Sequence, residues 1–357
     1  MGYILSINNL FLTFATLISI PYINIVLTIS AIVTSVMFAS NVATGSIAPI
    51  THREFFVESA YDGLEISVLE VAPAEKPKAV VLLAHGLCGC KERFLPFMEY
   101  LAMNGVACVA NDHRGHGSSI RSEEDRGYTY QGGAKAVVMD MEVVADYIGK
   151  HYRGLPVTLL GHSMGSLAAR AFLKHNEGRL DRVVICGSPS PNPMAPIGRA
   201  IVNMMSRRDG GRRRPEILQK FTSTSYNRKF KHEGYQAWTC SDAEVRKQFA
   251  NDPRCNFTIT VDLAKTLMDL FKEAYSKRGW SVNNHELPII FISGDDDPCM
   301  ISVKKFEKSV AQIGRCGYSN VRKKTYPQMR HEILNEIDKQ RVWEDILAFI
   351  NGAPSQF

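Results

Sequence analysis

A serine lies at the centre of the sequence TLLGHSMGSLAARAFL, residues 158–173, where an apolar run changes at once into a helix-forming run. The pattern predicts a buried strand, a sharp corner at Ser163 and a helix. Side chains two positions either side of such a corner must be small to avoid a clash, and Gly161 and Gly165 meet that requirement. Backbone N–H groups at the start of the helix can stabilise an oxyanion. Ser163 is therefore predicted to be a nucleophile.

A serine hydroxyl is a weak nucleophile at neutral pH, so it needs a base to accept its proton and a carboxylate to orient that base. In this type of site the chain order is serine, then acid, then histidine. The stretch IIFISGDDDPCM supplies Asp295, Asp296 and Asp297 after an apolar run, and periodicity does not choose between them. The stretch YPQMRHEILNE supplies His331, which we predict to be the base.

The stretch LLAHGLCGCKERF begins at the end of the first predicted parallel strand, and the loop that follows this strand should supply a second oxyanion donor. We predict that the backbone N–H groups of Leu87 and Met164 form the oxyanion hole. His85 is expected to brace this loop rather than to react. The glycine-rich loop NDHRGHGSS lacks both the Walker and the dinucleotide-binding spacing, so it too is predicted to be structural.

These residues need a framework, and the sequence indicates one. Short apolar runs alternate with segments long enough to form a helix, as expected for parallel strands joined by crossover helices. The runs are KAVVLLAHG, GVACVAND, LPVTLLGHS, LDRVVICGS, LPIIFISGD and NVRKKTYPQ. Before them, REFFVESAYDGLEISVLEVAP predicts an antiparallel hairpin that turns at Asp62 and Gly63. The predicted fold class is α/β, with a mostly parallel central sheet of about eight strands flanked by helices.

The alternation stops over residues 191–287, which read as amphipathic helices and basic loops. We predict a helical cap here, with the core formed by residues 51–190 and 288–357. The cap segment holds 17 Lys or Arg and 10 Asp or Glu, whereas the whole chain has a formal net charge of only +6. A mild net charge and the lack of aromatics within the basic run argue against nucleic-acid binding.

Residues 1–50 form an apolar N-terminal segment, and no charged residue precedes Arg53. The stretch PYINIVLTISAIVTSVMFAS is long enough to cross a bilayer as one helix, which predicts a single-pass anchor and membrane association. A cleaved signal and an upstream extension outside the native protein are the alternatives. The positive flank on the C-terminal side favours a cytoplasmic catalytic domain.

The predicted chemistry needs no cofactor, and the eight scattered cysteines are expected to be free, mostly buried thiols rather than metal ligands. The apolar stretch PMAPIGRAIVNMM lies beside SRRDGGRRRPE. An apolar surface next to basic residues suits a lipid-like ester with an anionic headgroup, or a bilayer surface. The alternative is a solvated loop that binds no ligand. The arginines concerned are Arg207, Arg208, Arg212, Arg213 and Arg214.

Taken in order, HGLCGCKERF, NDHRGHGSS, GHSMG, GDDDP and RHEILNE resemble the motifs of the α/β-hydrolase superfamily. Within it, the chain is similar to the lysophospholipase and monoacylglycerol lipase group, which is classified with the serine aminopeptidase-like hydrolases. The resemblance covers residues from about 53 to the end. It implies that the acid is Asp297, that Leu87 and Met164 are the oxyanion donors, and that the substrate is a lysophospholipid or monoacylglycerol. Peptidases and C–C hydrolases with the same triad, and a non-catalytic binding protein on the same fold, remain alternatives.

Overall fold

One eight-stranded sheet organises the chain. The computed structural model describes residues 49–207, 210–220 and 225–353. The strands are β1 Ile50–Glu58, β2 Glu65–Pro73, β3 Ala79–Ala84, β4 Val106–Asn111, β5 Val157–His162, β6 Arg182–Cys186, β7 Ile289–Gly294 and β8 Val321–Tyr326. They lie in the order β1-β2-β4-β3-β5-β6-β7-β8. Strands β1 and β2 run antiparallel to their neighbours and the other pairs are parallel, which confirms the predicted mostly parallel sheet.

The first two strands form the predicted hairpin. They pair from Ile50 opposite Pro73 to Glu58 opposite Glu65. Gly63 in the turn has a φ of 70°, a left-handed conformation that glycine adopts without a steric penalty. The prediction of a turn at Asp62 and Gly63 is therefore confirmed.

Nine helices are found in the described part of the chain. They are α1 Leu95–Met103, α2 Gly133–His151, α3 Met164–Asn176, α4 Ala195–Ser206, α5 Glu216–Gln219, α6 Ala243–Asn251, α7 Val261–Tyr275, α8 Val303–Arg315 and α9 Lys339–Ile350. Helices α1 and α9 pack on one face of the sheet, and α2, α3 and α8 on the other. Alternate residues of β3 enter the two cores, as period-two geometry requires, so that Leu82 faces one core and Leu83 the other.

The described residues between β6 and β7 form helices joined by loops, and no strand is found among them. We call residues 191–287 the insertion. Helix α7 anchors it to the core: the Asp262 carboxylate accepts hydrogen bonds from Thr129 N (2.9 Å), Thr129 Oγ1 (2.7 Å) and Gln131 N (3.1 Å). The Thr260 side chain caps the start of the same helix by accepting from Leu263 N.

Two arginines of the basic loop in the insertion have partners within the protein. Arg212 forms an ion pair with Asp125, and the Arg214 guanidinium donates to the carbonyls of Thr258, Glu124 and Arg126. These two arginines therefore hold the insertion to the loop that precedes α2. Arg208 lies outside the described residues.

The predicted N-terminal apolar helix and membrane anchor lie almost entirely outside the described residues, which begin at residue 49. Ile50, assigned to the anchor by the sequence, is instead the first residue of β1. Of the helices in the described ranges, none has the length and apolar character needed to traverse a bilayer. The anchor stays a prediction. All eight cysteines are free, six of them buried, as expected.

Candidate active site

Ser163 occupies the corner between β5 and α3, where its backbone adopts φ 55° and ψ −117°. This strained conformation turns the side chain outward between strand and helix. Glycine is needed on both sides of Ser163 because neighbouring backbone atoms lie too close to leave room for a Cβ. A Cβ on Gly161 would lie 2.3 Å from the carbonyl oxygen of Gly165, and a Cβ on Gly165 would lie 2.0 Å from that of Ala84. The predicted sharp corner and the reason for its glycines are confirmed.

The structure brings Ser163 together with the histidine and one of the aspartates singled out in the sequence. The distance from His331 Nε2 to Ser163 Oγ is 2.8 Å. On the other side of the ring, His331 Nδ1 lies 3.0 Å from both carboxylate oxygens of Asp297. His331 is 3% and Asp297 4% exposed, so both are shielded from bulk water, whereas Ser163 is half-buried. It can move a proton from a hydroxyl to an imidazole that a carboxylate orients.

The three consecutive aspartates after β7 have different surroundings. Asp297 accepts a hydrogen bond from Ser293 Oγ (3.0 Å) and another from Cys299 N (2.8 Å), which fix its carboxylate towards the histidine. Asp296 instead pairs with Lys229 of the insertion, and Asp295 is exposed. Within the described structure, Asp297 alone of the three reaches the ring of His331.

The electrostatics of the site favour a positively charged imidazole at His331. Burial lowers the pKa of His331, but the attraction of the Asp297 carboxylate outweighs it and the pKa lies well above its ordinary value. The neighbouring His162 behaves in the opposite way, since burial and the closeness of His331 lower its pKa to about 4. His162 is therefore neutral at physiological pH, and the charge that builds up during proton transfer is concentrated on His331.

The two predicted oxyanion donors lie beside the serine. Met164 is the first residue of α3, where backbone N–H groups have no acceptor within the helix, and both Leu87 and Met164 line the same cavity as Ser163. The loop that carries Leu87 is tight against the corner, because a Cβ on Gly86 would lie 3.1 Å from Ser163 Cβ.

The bracing role predicted for His85 is seen directly. Its Nδ1 lies 2.8 Å from the carbonyl oxygen of Gly86, and its Nε2 accepts from His113 N at 3.0 Å. The glycine-rich loop is also structural, since Asp112 within it accepts from Lys91 N and from Lys91 Nζ. These bonds fix the loop that leads from β3 to α1.

A cavity of about 730 Å³ opens onto Ser163. More than half of the residues that line it belong to the insertion, and most of those are apolar. Examples are Ile201, Met205, Phe249, Phe257, Leu267 and Phe271. A volume of this size accommodates an extended acyl chain, and its apolar walls favour hydrocarbon over water.

Sequence reasoning missed two features of this cavity. Arg93 forms an ion pair with Glu332, the residue after His331, and both line the cavity. Trp238 of the insertion places its ring 5.0 Å from the ring of His331. The position of Arg93 within the loop HGLCGCKERF, which also holds the predicted oxyanion donor, could have indicated that it lies near the site. No local pattern marks Trp238, because its contact with His331 joins distant parts of the chain.

Two groups of described side chains bring possible metal ligands within 4.8 Å of one another. They are Cys90, Asp252 and Cys255, and Asp297, Cys299 and His331. In each group the carboxylate already has a partner of its own: Arg254 pairs with Asp252, and the imidazole of His331 with Asp297.

The fold and the site together define an α/β-hydrolase. The sheet is mostly parallel and has eight strands, a serine lies at the corner after the central strand β5, and an aspartate and a histidine follow later strands. The chain belongs to the serine aminopeptidase S33 family of these proteins, whose sequence model matches residues 75–338. The resemblance read from the sequence is thereby confirmed.

Relatives of known sequence include monoacylglycerol lipase of Mycolicibacterium smegmatis. It is 25% identical over 290 residues, which span 78% of this chain and 90% of the lipase. Human monoglyceride lipase is 34% identical over 104 residues, 27% of this chain and 30% of the human protein.

Solved structures show the same fold. A thermostable carboxyl esterase from Bacillus coagulans superposes with a TM-score of 0.76 at 23% identity, covering 85% of this chain and 98% of the esterase. A soluble variant of monoglyceride lipase from Saccharomyces cerevisiae gives a TM-score of 0.65 at 18% identity, covering 86% and 98% of the two chains.

Proposed function

We propose that the protein is a serine esterase that hydrolyses carboxylic esters of lipid-like substrates, a lysophospholipid or a monoacylglycerol, through an acyl-enzyme. The observation that carries this proposal is the 2.8 Å contact between Ser163 Oγ and His331 Nε2 at the end of a large apolar cavity. The names of the relatives, monoacylglycerol and monoglyceride lipases, support the same substrate class.

In the first half of the reaction, Ser163 Oγ attacks the ester carbonyl while His331 Nε2 takes the hydroxyl proton. The backbone N–H groups of Leu87 and Met164 stabilise the negative charge on the carbonyl oxygen. Asp297 holds the imidazole and stabilises its positive charge without accepting the proton. The imidazolium then protonates the leaving alcohol, the ester C–O bond breaks, and the acyl group remains on Ser163.

In the second half, water replaces the alcohol. His331 removes a proton from the water, the resulting hydroxide attacks the acyl carbonyl, and Ser163 leaves with the proton returned from His331. The products are a free carboxylic acid and the regenerated enzyme. All proton transfers use this chain's own residues.

The arrangement of the cavity favours an ester over a peptide with a free amino terminus. A peptidase of that type needs an unpaired carboxylate to bind the ammonium group. Among the described residues that line the cavity, Glu332 is the only one with a carboxylate, and Arg93 already neutralises it. Burial raises the pKa of Glu332 but the charge of Arg93 outweighs it, so the net effect is a lowered pKa and a stable ion pair.

We also propose that the insertion acts as a cap domain over a hydrolase core of residues 51–190 and 288–357. Its helices supply the far wall of the cavity, while the core supplies Ser163, Asp297 and His331. In this division the core performs the chemistry and the cap selects the acyl group.

The test is labelling with a fluorophosphonate together with turnover of monoacylglycerol, lysophospholipid and aminoacyl-arylamide substrates. We expect labelling of the wild type, none of Ser163→Ala, and a loss of turnover of about 10⁴-fold or more in that variant. Hydrolysis of the arylamides alone would favour a peptidase. Labelling that persists in Ser163→Ala would refute the proposal.

A further inference from the structure

A short piece of the insertion is bound directly to the loop that carries His331. We call residues 236–241 the clasp. Glu332 N donates to the carbonyl oxygen of Thr239 at 2.7 Å, and Arg330 Nη1 donates to that of Ala237 at 2.6 Å. The clasp therefore holds the residues immediately before and after the histidine.

Trp238 lies at the centre of the clasp. Its ring centroid is 5.0 Å from that of His331, with an angle of 37° between the planes, and the ring of Tyr226 lies 5.0 Å away. Two hydrogen bonds fix it: Trp238 Nε1 donates to Gln236 Oε1 (3.0 Å), and Trp238 N donates to Asn227 Oδ1 (3.0 Å). Trp238 is only 8% exposed.

The backbone of the clasp is strained next to this contact. Gln236 has a φ of 56°, a left-handed conformation that non-glycine residues rarely adopt. Its side chain is nevertheless satisfied, because Gln236 Nε2 donates to Asn256 Oδ1 at 3.1 Å while Oε1 accepts from the indole of Trp238. Strain of this kind persists where surrounding contacts enforce it, commonly at functional sites.

We propose that Trp238 is a positioning residue, which holds the His331 imidazole towards Ser163 and stabilises the imidazolium that forms during acylation. The inference rests on the proposed function. An aromatic face within about 6 Å of a cation attracts it, and tryptophan does so most strongly. The insertion thus contributes to the chemistry as well as to the substrate cavity.

Other titratable groups also surround the ring. They are Asp297, Cys299, His162, Glu332 and Tyr226. Burial raises the pKa of Cys299, and the nearby Cys299 together with burial raises that of Tyr226, so both groups are neutral below pH 8. Because His162 has a pKa of about 4, it too stays neutral above pH 5. The acid limb of the activity profile therefore reports the protonation of His331.

The experiment compares Trp238→Leu and Trp238→Phe with the wild type, using a soluble short-chain ester and measuring kcat, KM and the pH profile of kcat/KM. For Trp238→Leu we expect kcat to fall about 2- to 30-fold, the range of a cation–π contact, with little change in KM. The acid limb of the profile should move to lower pH, because a less stabilised imidazolium loses its proton more easily. Trp238→Phe keeps an aromatic face and should show smaller changes in the same direction.

The matched control is Trp280→Leu, the same substitution elsewhere in the insertion. Trp280 Nε1 donates to the carbonyl oxygen of Ser276, and its ring packs near Tyr318, away from the cavity. This variant should leave the acid limb where it is in the wild type, even if it lowers the Tm.

The outcomes separate this inference from the proposed function. Turnover that survives Ser163→Ala refutes the proposed function, and the inference with it. If Ser163→Ala is inactive but Trp238→Leu and Trp238→Phe both keep the wild-type acid limb and kcat, Trp238 has no positioning role. A change in KM alone in these variants would likewise overturn the inference and leave Trp238 as a wall of the cavity.

Discussion

Single residues in this site differ in function through what their polar atoms touch rather than through their type. Asp297 and Asp295 are both aspartates after the same strand, but only the first is buried, and its oxygens lie 3.0 Å from His331 Nδ1. A buried carboxylate that faces an imidazole stabilises its charged form, whereas an exposed one is screened by water.

Replacing Asp297 with asparagine should change both the rate and its pH dependence. Without the carboxylate, the imidazolium of His331 loses its stabilising partner, so we expect kcat/KM to fall by about 10⁴-fold and the acid limb to move to lower pH. Steady-state kinetics across a pH series measures both effects. Asp295→Asn is the matched control and should retain wild-type values; a similar loss in both variants would contradict the assignment.

The wild-type enzyme should lose activity as the pH falls, because His331 must be neutral to accept the serine proton. Since the pKa of His331 is raised well above the ordinary value of about 6.5, the acid limb of kcat/KM should lie above that of free imidazole. The same raised pKa stabilises the fold fully below the unfolded-state pKa, and this contribution disappears as the pH rises through the folded-state pKa. A limb below pH 6 would show that the imidazole is not held as the structure indicates.

At the level of secondary-structure elements, the corner between β5 and α3 was predictable because its determinants are local. The apolar strand, the two glycines and the helix-forming run are adjacent in the chain. The acid and the histidine each follow a predicted strand, in the chain order that this type of site requires. Periodicity did not choose between Asp295, Asp296 and Asp297, because all three come directly after β7. The resemblance to the hydrolase motifs pointed to Asp297, and the contact with His331 is a tertiary one that no local pattern encodes.

Contacts between the insertion and the core were the part that the sequence did not reveal. Arg214 was part of a basic loop in the sequence, but in the structure it bonds to backbone carbonyls on both sides of the interface, including those of Thr258 and Glu124. Trp238 and His331 are likewise brought together only by folding. Local propensity and periodicity carry no information on such long-range pairs.

Gly165→Ala tests the corner itself. The new Cβ would meet the carbonyl oxygen of Ala84 at 2.0 Å, and neither backbone segment can withdraw, so we expect a loss of about 1–3 kcal/mol or more in the free energy of unfolding. Activity should fall with it, because the turn that orients Ser163 must open. Urea denaturation and ester turnover measure these effects.

Gly149→Ala, in helix α2, provides the comparison for that variant. No heavy atom beyond its immediate neighbours lies within 4 Å of the added Cβ, and alanine is the better helix former, so stability should rise by about 0.5–1 kcal/mol. Equal stability changes in the two variants would show that close packing at the corner is not the cause.

At the scale of the whole molecule, the insertion and the core together line the cavity that opens onto Ser163. Ile201, on α4, is 49% exposed and also lines the cavity, so it lies where the cavity opens to solvent. Met204 on the same helix is 66% exposed but does not line the cavity. On the proposed function, a long acyl chain that enters at this point would contact Ile201 and not Met204.

Ile201→Glu should therefore raise the KM for long-chain monoacylglycerols, since a carboxylate at the cavity mouth is desolvated when hydrocarbon lies against it. Short soluble esters should be hydrolysed at nearly the wild-type rate. The ratio of kcat/KM for the two substrate classes is the measurement. Met204→Glu should leave that ratio unchanged, and an equal change in both variants would place the acyl path elsewhere.

The order of the site along the chain has a consequence for biosynthesis. On the proposed mechanism the hydroxyl of Ser163 leaves the ribosome long before the imidazole of His331, which follows β8, the last strand. A nascent or prematurely terminated polypeptide therefore has no competent base. On this mechanism, ester hydrolysis can begin only after residue 331 has been synthesised and its loop has packed against the corner at Ser163.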